Sequence, residues 1–185
     1  LCRELALRRA VGAALVVVLA LPAPVQAKEK VTVQARAEAV IVSQLSFFKV
    51  DDLVFGRIAA GNTAGTVVLS PSGVRTKTGG VLLAAGLPAQ PAAFAGKGSF
   101  NQQVSISVNA TSRTLTRVGG TETMTMDTFV IGSTPTAVLS TAPLAFRIAN
   151  TSGIFQFPVG ATLRVGARQA PGTYTGTFSL TLNYQ

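Results

Sequence analysis

Gly172-Thr173-Tyr174-Thr175-Gly176-Thr177-Phe178-Ser179-Leu180-Thr181-Leu182-Asn183-Tyr184-Gln185 decides how the rest of the sequence is read. From Tyr174 every second residue is aromatic, aliphatic or Gly. The residues between them are Thr, Ser or Asn. That is the period of a strand with one buried and one wet face. The run predicts a closing strand of about twelve residues, against a usual five or six. Its buried face is Tyr174, Gly176, Phe178, Leu180, Leu182 and Tyr184. Gly176, with no side chain, is the place where a neighbour can approach closely. A strand this regular needs partners, and the preceding sequence offers them.

The middle of the chain is a series of short strand patterns separated by turn residues. Thr66 to Ser70, Val81 to Ala85, Gln103 to Asn109, Thr123 to Ile131 and Leu144 to Ile148 read as strands. Ile154 to Phe157 and Thr162 to Val165 read as two strands around Pro158-Val159-Gly160. Gly61 to Gly65, Pro71-Ser72-Gly73, Gly119-Gly120 and Asn150 to Gly153 read as turns. No stretch in this region has convincing helical periodicity. The expectation is all-β, with two sheets packed face to face as an immunoglobulin-like or pilin-like β-sandwich and a closed barrel as the alternative.

Residues 1–27 read as a secretory signal peptide: Arg3, Arg8 and Arg9, an apolar run from Ala10 to Leu21, then Val25-Gln26-Ala27 for cleavage. The apolar run is shorter than the roughly 20 residues a membrane span needs. Removal of this leader leaves residues 28–185 without Cys or His, since Cys2 is the sole cysteine. The exported chain is then held by packing and hydrogen bonds rather than disulfides. Residues 28–42 read as an N-terminal arm or first strand, followed by a β-sandwich domain over 43–185. In Val31 to Ala39 the odd positions Val31, Val33, Ala35, Ala37 and Ala39 are apolar, and Thr32, Gln34, Arg36 and Glu38 alternate with them. The apolar face is thin, which suits an arm that becomes a strand only when paired.

Chemistry is sparse. Without His there is no Ser-His-Asp triad and no His-based zinc site. The carboxylates beyond the leader are Glu29, Glu38, Asp51, Asp52, Glu122 and Asp127. Asp51 or Asp52 with Glu122 or Asp127 are the only acid–base pairs worth weighing, and their spacing does not bring them together. Asp51-Asp52 reads as a turn rather than a metal site, because adjacent strand residues face opposite ways. Met124 and Met126 fill a core better than they bind copper. Gly96-Lys97-Gly98 lacks the spacing of a phosphate loop. The basic residues form no run and few aromatics are available for stacking, so nucleic acid is not an expected partner. No catalytic residue, cofactor site or metal site is assigned.

The end pattern Val159-Gly160-Ala161-Thr162-Leu163, Gln169 and Gly172 to Phe178, with Phe55-Gly56, Phe94 and Met124 to Phe129, resembles domain of unknown function family 4402. Its members are small secreted bacterial proteins similar to spore-coat-protein-U-like and pilin-type β-sandwiches. The resemblance implies no catalytic residues. It implies an exported, non-enzymatic structural subunit, located in the periplasm, on the cell surface or outside the cell. Such a subunit would build a surface fibre or pilus by strand addition. Its partners would be further copies or related surface subunits, with an export chaperone. The alternative is a soluble, monomeric periplasmic or extracellular β-sandwich that binds a polysaccharide or small ligand.

Overall fold

Period-two patterning produces strands, and no helix, among the described residues of the computed structural model, which are 32–132 and 136–185. The expected leader and Val31 lie outside them. The chain divides into two units, Leu1–Ala39 and Val40–Gln185. Of the first, residues 32–39 are described; they carry neither helix nor strand and are exposed throughout. Of the two readings of this stretch, arm or first strand, no strand is formed over residues 32–39. A face made mostly of Ala buries too little to offset the entropy of ordering a lone strand.

The second unit contains β1 (Ser46–Asp51), β2 (Ile58–Ala59), β3 (Gly65–Leu69), β4 (Arg75–Lys77), β5 (Leu82–Leu83), β6 (Ala92–Lys97) and β7 (Gln103–Val108). It continues with β8 (Ser112–Arg117), β9 (Thr123–Ile131), β10 (Ala137–Val138), β11 (Leu144–Arg147), β12 (Ile154–Val165), β13 (Tyr174–Thr175) and β14 (Leu180–Tyr184). The largest sheet runs β1-β6-β12-β9-β8-β13, with β3 and β4 attached to β12 and β10 attached to β9. It is curled into a half-barrel and does not close. A second sheet, β11-β7-β14, packs its Ile106, Val108, Leu180 and Leu182 into the same core. A small pair, β2-β5, completes the set. The fold is all-β with sandwich-type packing, as the strand spacing implies.

The axis of the large sheet is β12, and here the sequence expectation of two strands is corrected. Ile154 to Val165 is one strand of twelve residues, unbroken by Pro158. The Pro158 carbonyl accepts from the Gly132 N–H at 2.8 Å, so the edge to which Pro158 would donate lies just past Ile131, where β9 ends. The missing N–H faces Gly132, one residue beyond β9, so no bond within the β9–β12 ladder is lost. Along its other edge, β12 pairs first with β6, from Ile154 to Val159, and then with β3, from Ala161 to Val165. Gly160 sits at the change-over, where a Cβ would overlap the Leu69 carbonyl.

β9 shows how inward parity is managed. Met124 and Met126 point to the core, then Phe129 and Ile131. The parity flips because Thr128 and Phe129 both lie opposite Ala161, a β-bulge. Thr128 pays for this with φ of 49°, uncommon for a β-branched residue. Thr128→Gly is expected to stabilise the protein by about 1 kcal/mol, the relieved strain exceeding the entropy Gly adds to the unfolded chain. A urea midpoint that falls instead would show that the bulge carries no strain at Thr128.

β6 has no strong strand signal in the sequence, being Ala-Ala-Phe-Ala-Gly-Lys. Its small residues are the reason it is central. A Cβ at Gly96 would overlap the Ser46 carbonyl and the Phe155 ring, so β1 and Phe155 close over it only because it is Gly.

Candidate functional site

The closing segment is not one strand. Tyr174–Thr175 pairs with β8 in the large sheet, and Leu180–Tyr184 pairs with β7 in the second sheet. Residues 176–179 cross between them. A single continuous strand would have to stay in one sheet; this chain instead bridges the two sheets of the sandwich, as strands do at corners. The in–out alternation survives the crossing. Tyr174, Phe178, Leu180, Leu182 and Tyr184 are half-buried, and the residues between them are exposed. Gly176 differs from the expectation of a buried position, because it is exposed. Its α-carbon nevertheless lies against β8: a Cβ there would come 2.6 Å from the Thr114 carbonyl oxygen and 3.2 Å from Leu115 Cα. The close approach expected of Gly176 is made by backbone. Gly176→Val is expected to cost roughly 1–3 kcal/mol through overpacking against a backbone that cannot rotate away. An unchanged denaturation midpoint would mean that β13 shifts freely.

The crossing borders a cleft of about 570 Å³. Phe47, Leu53, Phe94, Leu115, Met126 and Phe178 form its apolar part, and Lys49, Asp51, Asp52, Thr175 and Thr177 stand among its polar residues. The cleft is lined from both outermost strands of the half-barrel, β1 at one end of the sheet and β13 at the other. Among the described residues β1 pairs only with β6, and β13 only with β8. Each presents an unpaired edge of backbone donors and acceptors. The apolar part is fixed from behind by stacked rings. Phe47 lies 5.6 Å from Phe94 and 5.9 Å from Phe157, and Phe178 lies 4.9 Å from the fully buried Phe129. Phe94 and Phe47 are among the cleft residues that sequence reading did not assign to a site. Phe94 sits in the Ala- and Gly-rich β6, where only pairing on both sides reveals its role.

The other sequence-assigned residues separate into two groups. Val33 is 85% exposed, and Ala35, Ala37 and Ala39 are exposed. The two tyrosines use their hydroxyls as ties. The Tyr174 hydroxyl donates to the Ala170 carbonyl and accepts from Gln169 Nε2, each at 2.8 Å, which fixes the approach to β13. The Tyr184 hydroxyl donates to the Ser43 carbonyl at 2.6 Å.

The carboxylates do not converge on one point. Asp52 pairs with Lys49 at the cleft, Asp127 with Arg164 on the large sheet, and Glu122 with Arg117 across the β8–β9 hairpin. The hydrogen bonds from Arg117 hold the Glu122 carboxyl at about 2, well below the usual carboxylate range. Of the four, Asp51 and Asp52 line the cleft and Glu122 and Asp127 do not. Among the described residues no three His, Cys, Asp or Glu gather as a metal site, and no helix is long and apolar enough to cross a membrane.

A family model described as a domain of unknown function (DUF4402) matches residues 45–184, a span that includes both borders of the cleft. No curated protein matches the chain.

Proposed function

The chain belongs to the DUF4402 family, and we propose that it is a secreted, non-enzymatic structural subunit that builds a surface fibre or pilus by strand addition. One observation carries the reading. The two unpaired edges of a single curled sheet border one apolar cleft. An added strand would satisfy edge donors and acceptors and set alternate side chains against Phe47, Phe94 and Phe178. The arm over residues 28–42 has the matching character. Its described part is unpaired, and Val33, Ala35, Ala37 and Ala39 recur at the period of a strand. A head-to-tail contact of this kind does not close on itself and so propagates into a filament. The leader-like residues 1–27 support export to the periplasm or cell surface, and a sandwich with an edge left open would suit a pilin-type subunit.

The test is deletion of residues 28–42. Light scattering should show that the intact chain self-associates while the shortened one stays folded and monomeric. A peptide of residues 28–42 should then stabilise the shortened form, by about 2.7 kcal/mol at a hundredfold excess over its Kd. A chain that stays monomeric at high concentration, with a shortened form that unfolds, would assign residues 28–42 to the domain itself. The cleft would then be read as the ligand site of a monomeric binding module.

A further inference from the structure

Three residues distant in sequence close a ring of hydrogen bonds at one end of the sandwich. The Ser43 N–H donates to Ser99 Oγ at 2.6 Å, the Ser99 N–H donates to Tyr184 Oη at 3.0 Å, and the Tyr184 hydroxyl donates to the Ser43 carbonyl at 2.6 Å. Room for it is made at Gly98, where a Cβ would come 2.8 Å from Tyr184 Oη and 3.1 Å from Leu45 Cδ1. Both backbone groups of Ser43 are thereby engaged. Just before it, Val40 is 76% exposed, Ile41 96% and Val42 40%, three consecutive aliphatics without a strand partner among the described residues. A run apolar on both faces is the pattern of a strand buried on both sides. Just after it, β1 begins at Ser46 with one edge unpaired and Phe48 58% exposed.

Residues 40–42 are therefore close in sequence to an edge that they leave unpaired. To fold back onto β1 of its own chain, the segment must turn through Ser43, Gln44 and Leu45. Reversal there requires the backbone of Ser43 to rotate into a turn conformation, and its N–H and C=O are already fixed in direction by Ser99 and Tyr184. We infer that Tyr184 is a positioning residue whose hydroxyl, through Ser43, blocks this fold-back and holds Val40–Val42 out as a donor segment for the cleft of a second copy. The inference rests on the strand-addition reading for its partner, and on the hydrogen-bond ring alone for the block. The ring, the exposed segment and the unpaired edge are one device. Competition between the chain's own segment and a second copy's is decided in favour of the second copy, because the local path is closed.

Tyr184→Phe removes the hydroxyl and keeps the ring, and Ser99→Ala removes the acceptor for the Ser43 N–H without touching the aromatic. Two quantities are read in the full chain: the concentration at which self-association is half complete, and hydrogen exchange at the amides of Val40 to Val42 in the monomer fraction. In the unsubstituted protein those amides, exposed and outside any strand, are expected to exchange freely. Each substitution is expected to raise the half-association concentration roughly five- to tenfold, the equivalent of one hydrogen bond, and to slow exchange at residues 40–42 as they pair with β1 of the same chain. If both variants lose thermal stability while association and exchange are unchanged, the ring is a structural tie and the inference is overturned. If the unsubstituted chain does not associate but exchange at residues 40–42 still slows in the variants, the block on fold-back stands and the strand-addition reading falls.

Discussion

Phe129→Ala is expected to lower the unfolding free energy by roughly 3–5 kcal/mol, a large share of the total stability of a domain. Phe129 is fully buried and stacks on Phe178 at 4.9 Å with the rings 27° apart. It is held inward by the bulge at Thr128, so Ala would leave a void that the flanking Met126 and Ile131 cannot fill without breaking the register with β12. Phe178 would lose the ring behind it and the cleft would lose a wall. The variant should therefore show two effects in proportion: a lower urea midpoint, and weaker binding of a peptide of residues 28–42 to the chain lacking them. Phe129→Leu retains most of the volume and should cost much less. A loss below about 1.5 kcal/mol in the Ala variant would mean that the core collapses into the gap, and that Phe129 does not set the position of Phe178.

Gly160→Val should be as damaging, through the opposite fault. Gly160 lies where one edge of β12 passes from β6 to β3, and its added carbon would overlap the Leu69 carbonyl and come 2.8 Å from Ser70 C and 2.9 Å from Pro71 N. These are backbone atoms that continue into β3, so relief requires β3 to move off β12. Overpacking commonly costs 1–3 kcal/mol, and displacement of a whole paired strand puts this site at about 3 kcal/mol or above. The loss should be local in its first stage. Hydrogen exchange should accelerate at Val67, Val68 and Leu69 while the amides of β7 remain protected. Gly160 does not have positive φ, so Gly160→Ala tests the space alone and should fail in the same region. Protection retained in β3 would show that the two strands do not need this close approach.

Tyr174 to Gln185 shows what local pattern does and does not carry. Its alternation correctly separates the half-buried Tyr174, Phe178, Leu180, Leu182 and Tyr184 from their exposed neighbours, because the two faces of a strand follow from the backbone itself. The same alternation places Gly176 inward, but Gly has no side chain to be buried, and its packing against Thr114 depends on where β8 lies. Thr123 to Ile131 was legible as a strand from its own residues. The bulge within it answers to Ala161, thirty or more residues away. The strand character of β6 was hidden, since Ala and Gly signal little by themselves and serve here as the low ground on which β1 and Phe155 pack.

By itself, then, the sequence determined that the protein is built of strands, which side chains share a face along most of them, and that no His or thiol chemistry lies beyond the leader-like region. Tertiary structure alone decided that β12 runs through Pro158, because the missing N–H is harmless only where β9 has already ended. It also decided that the closing segment changes sheets after Thr175, and that the two ends of the large sheet border one cleft. The physical reason is the same in each case. Side-chain parity is a property of neighbouring residues, whereas pairing, curl and an unpaired edge are properties of strands that meet from distant parts of the chain.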